Sequence, residues 1–158
     1  MKASEFPDAL RELKIEGATV GPVVNKDGEP APAGSGVQHG FLVTGQHGAR
    51  IAWQVATQED GLLAGTGPSV AYPSSVPVAP DRLVCADVEA SIAHWVGKNL
   101  GEHISEMVRY SETRDRGIRY GLRIDLYSGG RVFIQALWIL EPGEEPNRDN
   151  KYRMRDAV

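Results

Sequence analysis

The sequence predicts an α+β domain: an antiparallel sheet, built from an N-terminal hairpin and a C-terminal three-stranded meander, packed by one main helix and a short N-terminal helix. Three observations carry that expectation. Residues 118–126 alternate strictly, with Ile118, Tyr120, Leu122, Ile124 and Leu126 separated by Arg119, Gly121, Arg123 and Asp125, the pattern of a half-buried antiparallel strand. Val88, Ile92, Trp95, Val96 and Leu100 recur at helical spacing between Asp87 and Gly101, which marks one apolar helix face. Ser128-Gly129-Gly130 separates two β-rich runs, and glycine supplies the positive φ that a tight hairpin needs.

Taken in order, Phe6, Leu10 and Leu13 share one face of a short first helix. Pro7 suits its first turn, where a missing N–H costs nothing, and Gly17 suits its end. Val20, Val23 and Val24 offer a short strand interrupted by Pro22. A mobile loop is expected at about 25–38, because Asp27-Gly28-Glu29-Pro30 and the Pro/Ala/Gly run after it have no apolar face to bury. Phe41-Leu42-Val43 and residues 51–56 then form a hairpin around Gly45-Gln46-His47-Gly48. Glycines and prolines leave 57–80 irregular, and a segment of that length packs across a surface or serves a function.

The main helix is expected over 88–100, capped by Asp87, with Trp95 as its anchor and Gly101 just past its end. The meander has a first strand over 105–113, a turn at Arg114-Asp115-Arg116-Gly117, the alternating strand, and a third strand over 132–140. By simple alternation that third strand places Val132, Ile134, Ala136, Trp138 and Leu140 on one face, and Phe133, Leu137 and Ile139 on the other. A strand apolar on both faces requires cover on both. Residues 1–140 thus read as one domain, and 141–158 as a polar tail or partner-binding arm.

Composition bounds the function. The 158 residues are 41% hydrophobic and 24% charged with a net charge of −4, ordinary for a globular domain. No stretch approaches the roughly 20 apolar residues of a membrane span. The first residues turn acidic without an apolar signal-peptide core, so a cytoplasmic protein is expected. Arginine outnumbers lysine 12 to 5, a usage expected of a GC-rich bacterial or phage genome. The single cysteine, Cys85, rules out an internal disulfide.

Charge is unevenly spread. Residues 1–108 carry 7 basic and 13 acidic side chains, whereas 109–131 carry six arginines against Glu112, Asp115 and Asp125. The overall negative charge argues against general nucleic-acid binding, which needs a positive surface. The arginine cluster keeps an anion or partner surface in play. Arg119 and Arg123 share a strand face by parity, and Arg109 on the preceding strand is expected to join them. Local pairs such as Arg123–Asp125 or Arg119–Glu112 are the plainer alternative.

Catalytic signals are weak. His39 and His47 stand in repeated Gln-His-Gly tripeptides, but seven intervening strand residues hold them about 25 Å apart, too far to share a metal ion. Cys85 precedes a helix and His94 lies two turns along it, so the thiol lacks a base in reach, and Cys85 is expected to be structural. Asp125 lacks a second acidic ligand, and Gly65-Thr66-Gly67-Pro68-Ser69 lacks the lysine of a phosphate loop. No catalytic residue, metal ligand or cofactor is assigned.

The expected function is therefore a non-catalytic protein-interaction domain: an adaptor, inhibitor or assembly subunit. It associates with a protein partner or with itself through the C-terminal strands. Arg109, Arg119, Arg123, Phe133, Leu137 and Ile139 are the candidate interface residues. A small hydrolase or nucleic-acid-processing enzyme using His39, His47 or Asp125 is one alternative. A binding module for an anionic ligand is the other.

Overall fold

The computed structural model of the protein describes residues 1–22, 39–59, 65–113 and 119–158. The loop expected at Asp27–Gly36 and the turn at Arg114-Asp115-Arg116-Gly117 lie outside the described residues, as does Ile118.

Among the described residues six strands form one antiparallel sheet. They are β1 (Ala18–Gly21), β2 (Gly40–Gly45), β3 (Arg50–Gln58), β4 (Ile104–Arg109), β5 (Gly121–Leu126) and β6 (Arg131–Leu140). Their order is β1-β2-β3-β6-β5-β4, so two three-stranded meanders meet where β3 pairs with β6. One long helix is present, α2 (Cys85–Leu100), and a short one near the N-terminus, α1 (Phe6–Ala9), flanked by 3-10 turns at Ala3–Glu5 and Leu10–Glu12. The α+β class and both helices match the sequence expectation. No helix among the described residues is long and apolar enough to cross a membrane.

The inner face of the sheet carries the main core. Ile51, Trp53 and Val55 of β3, Leu122 and Ile124 of β5, and Val132 and Ile134 of β6 are buried there against Val88, Ile92 and Val96 of α2 and Phe6, Leu10 and Leu13 of the N-terminal segment. Trp95, expected as the helix anchor, is only partly buried, and Ile92 and Val96 anchor the helix instead. The helix begins at Cys85, three residues earlier than expected, without a side-chain cap. A backbone ladder substitutes for the cap: Cys85 donates its N–H to the Asp156 carbonyl at 2.9 Å, and Leu83 and Val158 bond each other reciprocally.

Residues 65–83 form a strap along α2. Val70 N–H donates to Gly101 O at 3.3 Å near one end of the helix, and the Ser91 hydroxyl bonds both backbone groups of Val76 further along. Beyond the helix, Val78 N–H reaches Glu16 O at 2.9 Å. The strap explains why α2 also buries Ala90, Ser91, Ala93 and Gly97.

Two departures from simple alternation shape the meander. The first strand stops at Arg109, and Tyr110–Thr113 turns helical. On β6 a bulge intervenes: Ala52 faces Trp138 while the next residue, Trp53, faces Ala136, leaving Leu137 as the extra residue. A bulge flips the parity beyond it. Leu137, Trp138 and Leu140 consequently share the outer face with Leu42 and Ala52, whereas Ile139 joins the inner core. The expected grouping of Ile139 with Phe133 and Leu137 is corrected by this bulge.

Leu122 and Ile124 are fully buried, so replacing either with alanine is expected to cost about 2–5 kcal/mol in chemical denaturation. A Cβ on Gly97 would lie 2.4 Å from Cβ, Cγ and Cδ1 of Tyr72. These atoms sit at the root of the ring, so Gly97→Ala is expected to push the strap off the helix and cost about 1–3 kcal/mol.

Candidate functional site

The site candidates are three: a buried carboxylate under the helix, a cavity beside α1, and the outer face with its arm. The carboxylate is Glu89, fully buried on the sheet-facing stripe of α2. It accepts from Arg109 Nε at 3.0 Å, from Gly121 N–H at 2.8 Å, and from both the N–H and hydroxyl of Ser111. Arg109 in turn reaches Glu112 at 3.0 Å and the Ala86 carbonyl at 3.3 Å. A buried charge survives only when paired and hydrogen-bonded, and here its donors come from β4, the turn after it and the first residue of β5. The chain turns at Tyr110–Thr113, where Ser111 supplies two of these donors. Glu89 is a structural clamp, fully occupied by its own chain. Arg109 is drawn to the inner face by it, and so does not join Arg119 and Arg123 as expected.

A cavity of about 520 Å³ lies between the N-terminal segment and the β1–β2 side of the sheet, lined by Leu10, Val20, Phe41 and Val55. Its charged groups, Asp8 and Arg11, are an exposed pair 3.4 Å apart. His39 also lines it and is exposed, and among the described residues no buried polar side chain converges on it as in a site that orients a substrate.

The outer face is divided. Leu42, Ala52, Leu137, Trp138 and Leu140 form a second apolar cluster, separate from the core. Residues 141–158 leave β6, turn at Pro142-Gly143 and fold back as an arm, whose first part runs over this cluster and whose end pairs with Leu83–Cys85 and buries Val158 in the main core. The fastenings are polar. Tyr152 N–H donates to Leu137 O at 2.8 Å, Trp138 Nε1 to Asn147 O at 3.0 Å, and Arg155 to Ile139 O at 3.0 Å. Arg155 also grips Glu144 with two bonds, and buried Arg50 donates to the Glu144 carbonyl. Arg50 Nη1 is buried without a hydrogen-bond partner among the described residues. Lys151 lies 5.4 Å from the Trp138 ring centroid. Asn147 and Asn150 organise the arm internally by capping its backbone N–H groups. Tyr152 has a φ of 61°, a left-handed conformation that favours glycine.

Between Glu144 and Arg155 the arm is inverted. Glu144, Asn150, Lys151 and Arg155 are turned at least partly inward, while Tyr152 and Met154 are 51% and 40% exposed. Its last residues pass Arg119, which bonds Asp156 at 2.8 Å, and Tyr120, whose hydroxyl donates to the same carboxylate. The Tyr120 hydroxyl and the Arg119 guanidinium hold the Asp156 carboxyl below its ordinary value. Hydrogen bonds from Arg155 do the same for Glu144, against the opposing effect of burial.

The remaining expectations fall as follows. Arg123 lies on the outer face opposite Phe133, and both are half-buried. Arg123 pairs with Glu106 at 3.1 Å and Asp125 at 3.6 Å. Arg119 is bound to Asp156, so the expected Arg119–Glu112 pair is replaced by Arg109–Glu112. Leu137 is covered by the arm, and Ile139 is core. His39 and His47 sit at opposite ends of β2, and His47 Nε2 donates to Val158 O at 3.1 Å. No group of three or more His, Cys, Asp or Glu able to hold a metal ion occurs among the described residues. Cys85 donates its thiol hydrogen to Arg155 O at 3.2 Å, while His94 donates to Pro73 O at 2.9 Å on the strap side. Burial, with Asp156 adding, pushes the Cys85 thiol up to about 12.

Sequence reasoning missed two features. Glu89 occupies the helix stripe shared by Cys85, Ile92 and Val96, so a carboxylate at a core position was a visible signal. The inverted arm left no such signal, because it depends on which residues the bulge turns outward. Comparison with protein-family models, with curated proteins and with solved structures finds no match.

These shifted acidities have two expected outcomes. A thiol raised this far is protonated at neutral pH, so iodoacetamide at pH 8 is expected to label Cys85 only as the protein unfolds, as mass spectrometry would show. Glu144 and Asp156 have depressed folded-state values, so their contribution is complete above the ordinary carboxyl range near 4 and is lost as pH falls through the folded values. Amide exchange in 141–158 is therefore expected to rise in acid, relative to exchange in β5 and β6, and Glu144→Gln to weaken that dependence. Unchanged relative protection between pH 7 and pH 3 would contradict this.

Proposed function

We propose that this chain is a non-catalytic protein-interaction domain, an adaptor, inhibitor or assembly subunit, working through the outer side of its C-terminal strands and the arm. The observation that carries the reading is the inverted arm. It lays polar groups over an apolar cluster and turns Tyr152 and Met154 to solvent beside Arg119 and Arg153. Exposed aromatic and methionine side chains flanked by arginine are the composition of an interface core. Phe133 and Arg123, paired across β5 and β6 and half-buried, extend the surface towards β5. The anion-binding alternative draws less support, since Arg109, Arg119, Arg123, Arg131 and Arg155 each have a carboxylate partner within the chain.

Purified under native conditions, the chain is expected to show in light scattering the mass of a defined complex, with itself or with a stoichiometric partner. The double substitution Phe133→Glu with Met154→Glu is expected to reduce that mass while circular dichroism stays that of the wild type. A protein that remains a lone monomer at every concentration and copurifies with nothing would remove the reading.

A further inference from the structure

We infer that the cavity between the N-terminal segment and β1–β2 binds a small amphipathic carboxylic acid. Its apolar body lies among Leu10, Val20, Phe41 and Val55, and its carboxylate stays at the mouth beside Arg11 and His39. The site is separate from the arm and its surroundings, and it adds a ligand to a protein read above as non-catalytic.

The space exists because one long helix cannot cover six strands. α2 packs over β4 and β5. At the other end of the sheet the cover comes from the N-terminal segment, whose helix α1 spans only Phe6–Ala9. Val20 marks what this short cover leaves open. It pairs with Val43 across β1 and β2, so both side chains point to the same, inner face. Val43 is fully buried, whereas Val20 is only partly so. Val20 lines the cavity of about 520 Å³ and Val43 does not. Leu10, Phe41 and Val55 are buried and form the deeper walls. The Phe41 ring stacks on the fully buried Trp53, with centroids 6.3 Å apart, so that wall is supported from behind.

The lining selects the chemistry of the ligand. A volume of about 520 Å³ lies within the range of roughly 300–1,000 Å³ usual for small-molecule sites. The walls are apolar, and among the described residues no buried polar side chain reaches them, so a polar group of the ligand is left at the mouth. The charged or ionisable side chains there are Asp8, Arg11 and His39. Asp8 and Arg11 are 3.4 Å apart with side chains 77% and 80% exposed. Such a pair contributes little, so Arg11 can turn to a ligand carboxylate while Asp8 returns to water. The guanidinium fork matches a carboxylate, and the exposed His39 ring supplies a second donor. Two donors against one carboxylate favour an anionic head over a cationic one. Burial of the body supplies most of the affinity, about fourfold for each methylene taken out of water.

The test titrates the full chain with hexanoate, octanoate and decanoate, read by calorimetry and by methyl NMR. Saturable one-to-one binding is expected, roughly tenfold tighter for octanoate than for hexanoate, with the methyl shifts concentrated on Leu10, Val20 and Val55. Val20→Trp places a larger side chain in the cavity and is expected to weaken octanoate at least about tenfold while circular dichroism stays that of the wild type. Arg11→Glu changes an exposed residue and keeps the test decisive even where Val20→Trp fails to fold. It is expected to weaken octanoate about fivefold, the worth of an exposed ion pair, and to leave octanol binding unchanged. Absence of saturable binding by all three acids would overturn the inference, as would methyl shifts confined to other parts of the molecule. Octanol or octylamine bound as tightly as octanoate would overturn the carboxylate assignment. Octanoate binding undiminished in Arg11→Glu and in a folded Val20→Trp would place the ligand elsewhere and overturn the site.

Discussion

The pairing of β3 with β6 holds the two halves of the molecule together. Arg50 to Gln58 is matched against Leu140 to Arg131 in one long antiparallel ladder, and without it each meander would be a three-stranded sheet with an open edge. The pair joins segments more than seventy residues apart, so closing it fixes the ends of everything between them. The cost of such a closure grows only slowly with loop length. Trp53, Val55, Val132 and Ile134 supply the return by burying their side chains on the inner face. The helix, strap and N-terminal segment all pack on the surface this seam creates.

The same seam produces the asymmetry on which the functional reading depends. Its bulge at Leu137 lets two consecutive residues, Leu137 and Trp138, face outward. That concentrates apolar area at the β2–β3–β6 end of the outer face and leaves the β5 end to Arg123, Asp125 and Phe133. The carbonyls of Leu137 and Ile139 are the ones the arm engages. The bulge therefore creates both the patch and part of its fastening, because it re-aims the side chains beyond it.

Charge in this protein acts mainly within the chain. The arginines of residues 109–131 look from composition like a positive face. In three dimensions the four of them among the described residues are each drawn to a carboxylate: Arg109 to Glu89 and Glu112, Arg119 to Asp156, Arg123 to Glu106, and Arg131 to Asp125. Exposed pairs of this kind contribute little stability individually. The Glu89 clamp is different, because its carboxylate is fully buried and each lost donor would leave a charge without compensation.

By itself the sequence determined the elements. The alternation through Leu122, Ile124 and Leu126 specified β5, the spacing of Val88, Ile92 and Val96 specified α2, and the glycine turns specified which strands follow one another. These are local signals, in which each side chain's direction follows from its neighbours along the chain. Only the tertiary structure decided three further matters: that the first hairpin joins the meander through β3 and β6, that Arg109 turns inward to Glu89, and that Ile139 is core while Trp138 faces out. Each depends on contacts between distant residues. The last turns on a single extra residue in a strand, which leaves the apolar pattern of the sequence unchanged but reverses the face on which every later side chain lies.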